Sequence, residues 1–244
     1  MFDRTFSTEG VHPYDEVEWT LFDAEITNPQ GGVIFSQKDV EFPSFWSQLS
    51  VNVVASKYFY GDEDGENGTP SHDEGGEREW SLKQLVDRVA DTIADWALED
   101  GYAATSEEAD IFRDELKWLL VHQYGAFNSP VWFNVGLGQQ YGIFEKEDAN
   151  RVWGWDGEDV SRVDPYSRPQ ASACFIIDIE DTIEGIWDSY AESARLFKYG
   201  SGVGADWSTL RARNGDKITG GGQPSGPVSF MKVQDATGGT IKSG

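Results

Sequence analysis

Cys174 is the only cysteine in the sequence. Set in the run ASACFIIDI, it reads either as a small apolar core residue or as a redox thiol whose partner thiols lie outside this chain. Three other places could hold a phosphate or a sugar. Ser129 precedes Pro130 and offers a hydroxyl next to turn amides, or is simply a turn serine. Arg211 and Arg213 follow the string GSGVG at 200–204 and could clamp phosphates or stand as a solvated pair. Asp181 stands where a helix should begin, with Glu184 three residues on. GSGVG itself lacks the GxGxxG spacing, follows a helical pattern rather than a strand, and is not followed by GK[ST]. Neither a dinucleotide fold nor a Walker loop is therefore expected. His12, His72 and His122 fall in no metal-ligand spacing, so no metal site is expected.

The elements that must carry these residues are partly visible as periodicity. Ser81 and Gln84 form a capping-box pattern ahead of Leu82, Leu85, Val86, Val89, Ile93, Trp96 and Ala97. Thr105 and Glu108 repeat it ahead of Ala109, Phe112, Leu116, Leu119 and Leu120, so an αα-hairpin is expected. The stretch 127–136, FNSPVWFNVG, predicts a turn into an extended segment. Residues 171–179 predict a buried strand, and the spacing from Asp181 to Tyr199 predicts a helix. GSGVGADWSTLRAR at 200–213 reads as a loop and VSFMKV at 228–233 as a strand. Val33–Phe35 and Val51–Val54 are β-prone. Residues 61–79, with eight acids and one Arg, predict a solvated loop.

Composition limits the function classes. The chain has 244 residues, of which 39% are hydrophobic, including ten Trp, so a sizeable core can form. The formal charge of −24 disfavours binding to DNA or an anionic membrane. It suits a high-salt cytosol, where self-repulsion is screened, and a halophilic source is expected. No run approaches the ~18 apolar residues of a membrane span. MFDRTFSTEG has neither the basic nor the apolar region of a signal peptide, so a cytoplasmic location is expected. The charge is uneven: residues 195–244 hold seven basic and three acidic residues and 11 of the 27 glycines. A Gly-rich, locally basic segment on an acidic protein suits bound phosphates.

PYDEVEW (13–19), ASKYFYG (55–61), AFNSPVWFNVG (126–136), QASACFI (170–176), LFKYGSGVGADWSTLR (196–211) and GGGQPSGPVSFMKVQDATGGTIKSG (220–244) complete the reading. In this order they resemble the adenosylcobalamin-dependent, class II ribonucleotide reductases. The resemblance implies a mixed α/β fold: a mostly helical region over 1–168, then the first strands of a ten-stranded α/β barrel over 169–244. It implies thiyl-radical reduction of ribonucleotides to deoxyribonucleotides, with Cys174 as one of two reducing thiols. Ser172, Ala173 and Gly202 would lie against the substrate and Ser129 would hold its phosphates. Asp181 and Arg211 would bind the ribose and phosphates of an allosteric deoxynucleotide. Adenosylcobalamin, deoxynucleotide or ATP effectors, a thioredoxin-like reductant and a homodimer through helix 182–199 are implied with them.

The family's radical cysteine, second reducing cysteine and finger loop have no counterpart here. The chain is therefore expected to be a partial gene product, half of a split enzyme or the segment before an intein, inactive alone and completed by the rest of the reductase. The alternatives are a non-catalytic nucleotide-binding module of the same fold and a fragment of a class I large subunit.

Overall fold

The computed structural model describes residues 2–61, 78–145, 152–155, 158–215 and 222–241. They form a mixed helix-and-strand fold in two units, one of residues 1–127 and 134–169, the other of residues 128–133 and 170–244. Most of the acidic stretch 61–79 and part of the second Gly-rich turn lie outside the described residues.

The first unit begins with an antiparallel hairpin, β1 (Trp19–Thr27) and β2 (Val33–Pro43). Helix α1 (Gln48–Lys57) packs on it. The β-prone Val51–Val54 thus lies in a helix. Ser47 caps it by accepting the Ser50 N–H at 3.1 Å, and Val51 and Ala55, four apart, are buried. Asn52 then treats β1 as a strand partner, exchanging side-chain bonds with the Glu25 N–H and C=O.

Helices α2 (Leu82–Glu99) and α3 (Ser106–Val121) pair as the periodicity predicts. Ser81 and Gln84 complete the capping box. Glu108 instead accepts the Ala104 N–H while Thr105 accepts the Glu108 N–H.

Under α2 lies a buried ion pair. Arg88 Nε donates to Glu79 Oε1 at 2.8 Å, and the two side chains are 1% and 0% exposed. Glu79 thus leaves the solvated loop in which its neighbours suggested it. Tyr141 donates its hydroxyl to Glu79 at 2.6 Å. Burial pushes the Tyr141 phenol far above its usual value, and the adjacent Glu79 carboxylate pushes it further, so the hydroxyl keeps its proton. Arg88 Nη1 donates to the Val135 carbonyl at 2.8 Å.

The segment 127–136 is not extended. It forms α4 (Ser129–Asn134), followed by α5 (Leu137–Tyr141). Pro130 is compatible with the first helical turn, where its missing N–H has no intrahelical acceptor to satisfy. A second hairpin, β3 (Val152–Trp155) with β4 (Val160–Val163), belongs to the first unit, whereas residues 128–133 of α4 belong to the second.

The second unit is built on one crossover. Strand β5 (Cys174–Ile177) leads into α6 (Ile183–Lys198) and returns as β6 (Gly202–Ala205), parallel to β5. Residues 202–205 therefore form a strand where a loop was expected. Helix α7 (Pro227–Thr240) replaces the strand expected from VSFMKV: Gly226, at φ +78°, turns the chain and Pro227 opens the helix. Ile179, Ile186, Tyr190 and Leu210 form the core of this unit, with Ala205, Trp207 and Phe230 packed against it.

Candidate functional site

Strands β5 and β6 pair in register, Cys174 opposite Gly202 and Ile176 opposite Gly204. Side chains alternate across a strand, so these four residues share one face. That face is open: Cys174 is exposed and Ile176 is 86% exposed. Within β5 only Phe175 and Ile177, on its other face, are covered, and those partly; the full burial expected of 171–179 is reached only at Ile179. A methyl group at Gly202 would lie 3.7 Å from the Ala173 carbonyl oxygen and 3.8 Å from Cys174 Sγ. At Gly204 the nearest atoms would be 3.9 and 4.0 Å away. These are ordinary contacts, so the surrounding protein demands a glycine at neither position. Their effect is to keep the space beside the thiol clear.

The chain reaches this face through the end of α6. Gly200, at φ +82°, donates its N–H to the Phe197 carbonyl, and Ser201 donates its N–H to the Leu196 carbonyl at 3.1 Å. This pair of bonds closes the helix in a Schellman motif, which favours glycine at the left-handed position. Phe133 lies over Gly200, where an added Cβ would come within 2.7 Å of the ring. Ser129 begins α4 one turn before Phe133, so the helix carrying the expected phosphate ligand packs on the GSG turn. Gly202 then donates its N–H to the Ala173 carbonyl at 2.6 Å. Ser172, Ala173, Cys174 and Gly202 are thereby held together.

Asp181 and Arg211 also meet. Arg211 Nε donates to Asp181 Oδ2 at 2.6 Å and Nη2 to the Asp181 carbonyl at 3.2 Å. Both side chains are about one-third exposed. Asp181 does not cap α6. Thr182 does, accepting the Gly185 N–H at 3.0 Å, while the Asp181 carboxylate is drawn to Arg211. Gln170, Ser201 and Phe133 belong to the neighbourhood of Gly202 and Ser172 instead, and although each lies inside a quoted string none was singled out. The one available clue was a polar residue between two glycines at a helix end.

Comparison with known proteins follows the same two-part division. Residues 20–123 match a family model described as class II vitamin B12-dependent ribonucleotide reductase, and residues 172–244 match the ribonucleotide reductase barrel domain. A vitamin B12-dependent ribonucleotide reductase of Rhodopirellula baltica is 47% identical over 97% of this chain and 22% of its own length. One from Streptomyces coelicolor is 43% identical over 99% of this chain and 21% of its own. One from Agrobacterium fabrum is 37% identical over 99% and 21%. The chain thus spans about a fifth of the length of these relatives.

Proposed function

We infer that the protein carrying this chain reduces ribonucleotides to deoxyribonucleotides, from the premise that the chain belongs with the N-terminal regions of the class II, vitamin B12-dependent ribonucleotide reductases. The observation that carries the reading is the cleared sheet face, on which an exposed thiol stands beside two glycines that the protein itself does not require. A ribose laid against Gly202 would present its 2′ carbon to Cys174. The carbonyls of Ser172 and Ala173 are already bonded to Ser201 and Gly202, so their N–H groups are the natural contacts for the nucleotide. Ser129 would take the phosphates, on a helix seated against the GSG turn.

Replacing the 2′ hydroxyl by hydrogen releases water and takes two electrons, which two thiols supply as they join in a disulfide. Cys174 is one, and the second lies in a part of the protein beyond this chain. A thioredoxin-like dithiol would restore the pair. Cobalamin, in its adenosyl form, would supply the initiating radical. No cradle for a corrin can be assigned among the described residues. Nδ1 of His12 accepts the Tyr14 N–H, and Nδ1 of His122 bonds the Trp118 carbonyl.

In the same reading Asp181 and Arg211 take the sugar and phosphates of a deoxynucleotide or ATP effector, and α6 forms a homodimer contact, with Ile183 and Trp187 exposed along it. The barrel begun by β5 and β6 would close with ten strands. The acidic surface would suit a salt-rich cytoplasm.

Cys174→Ser in the complete reductase tests the reading. Multiple turnover with a dithiol reductant should be lost, because serine cannot form the disulfide, while nucleotide binding survives. Turnover at the wild-type rate would make Cys174 an ordinary strand residue.

A further inference from the structure

The residue that follows the left-handed glycine of a Schellman motif commonly makes an apolar contact back to the helix. Here that position is Ser201, and its hydroxyl is put to another use. Ser201 is 5% exposed, although the strand face that begins at the next residue is open. Its Oγ donates to the Ser172 carbonyl at 2.6 Å and accepts from Gln170 Nε2. Its backbone N–H is committed to Leu196 at the end of α6. One buried hydroxyl therefore ties the segment two residues before Cys174 to the end of the crossover helix. Directly beyond it, the Gly202 N–H bonds the Ala173 carbonyl at 2.6 Å.

We propose that Ser201, oriented by Gln170, is a positioning residue that fixes the approach to β5 and so sets where the Cys174 sulfur stands relative to the cleared Gly202 face. Three features support this over a purely architectural role. A serine is not needed to finish the helix, since the Schellman bonds are made by main-chain atoms. The hydroxyl is satisfied on both sides, as a buried polar group must be. Its acceptor is the main chain of Ser172, next to the residues that hold the thiol. The functional meaning of that geometry rests on the reductase reading, but the geometry itself can be tested without it.

Cys174 is the only thiol in the chain, so alkylation of the 244-residue protein by iodoacetamide reports this site alone. Ser201→Ala leaves the Ser172 carbonyl and the Gln170 amide without their shared partner. Because Cys174 is already exposed, its alkylation rate reports where the sulfur stands and not whether the reagent can enter, and loss of this tie should change that rate by more than about twofold and by at most about tenfold, the value of one typical hydrogen bond. Ser201→Thr, which keeps the hydroxyl, should stay within about twofold of wild type, and Gln170→Leu should move the rate in the same direction as Ser201→Ala. A lower melting temperature in Ser201→Ala with an unchanged alkylation rate would overturn the proposal and leave the hydroxyl a stability element. So would failure of Ser201→Thr to restore the wild-type rate in a folded protein. A parallel arm adds a ribonucleoside diphosphate to the wild type. Absence of any protection of Cys174 counts against the reductase reading and leaves the Ser201 result standing.

Discussion

Asp181 and Arg211 show how much a single contact narrows a residue's role. Neither side chain is buried, so their attraction is screened by solvent and contributes little to stability. The pair nevertheless holds a guanidinium and a carboxylate at one place beside the start of α6. Under the proposed function the carboxylate would take a sugar hydroxyl and the guanidinium a phosphate of the effector. If the proposed function holds, Arg211→Ala in the complete protein should remove charge-assisted phosphate bonds worth about 1.5–3 kcal/mol, which is about ten- to a hundredfold in effector affinity. Reduction without effector should change little. Substrate preference measured with and without each deoxynucleotide checks this. A raised substrate KM with the effector response intact would move the pair to the active site.

Among the elements, the turn from α4 into α5 is the most tightly gripped. Gly136 has φ +83°, and a Cβ there would fall 2.2 Å from the Arg88 carbonyl oxygen. The Arg88 side chain meanwhile holds the Val135 carbonyl and is itself fixed by Glu79, which also accepts from Tyr141 and the Tyr60 N–H. Backbone and side chain of one residue on α2 therefore grip consecutive residues after α4. Gly136→Ala adds left-handed strain and a main-chain clash, and should cost about 2–4 kcal/mol in urea unfolding. Gly101, also at positive φ, has nothing within 4 Å of an added Cβ. Gly101→Ala should cost only the strain, about 1 kcal/mol. Equal losses at the two sites would show that the Arg88 contact is not what restricts Gly136.

At the scale of the whole molecule, charge dominates. Forty-three acidic residues against nineteen basic ones repel one another over distances set by the ionic strength. The Debye length falls from ~30 Å at 0.01 M to ~3 Å at 1 M. The melting midpoint should therefore rise steeply between about 0.05 and 1 M KCl and level off once the repulsion is screened. The buried Arg88–Glu79 pair lies out of reach of salt and should not reverse that trend. A midpoint independent of KCl would show that the surface charge does not strain the fold.

Local pattern alone determined the helices at 82–99, 106–121 and 183–198, because each has an apolar stripe of helical period behind a capping side chain. It also singled out Cys174, Asp181 and Arg211 by residue type, and the motif strings pointed to the family that the comparisons then returned. What it could not supply were features made by distant parts of the chain. Val51–Val54 became helical because α1 lies against β1, and Glu79 left a solvated loop because Arg88 and Tyr141 were waiting for it. Residues 202–205 became a strand because β5, almost thirty residues earlier in the chain, supplied a ladder to pair with. The open face beside the thiol exists only in that pairing. A glycine next to nothing in sequence is merely flexible, whereas a glycine in register with Cys174 clears the space beside the thiol.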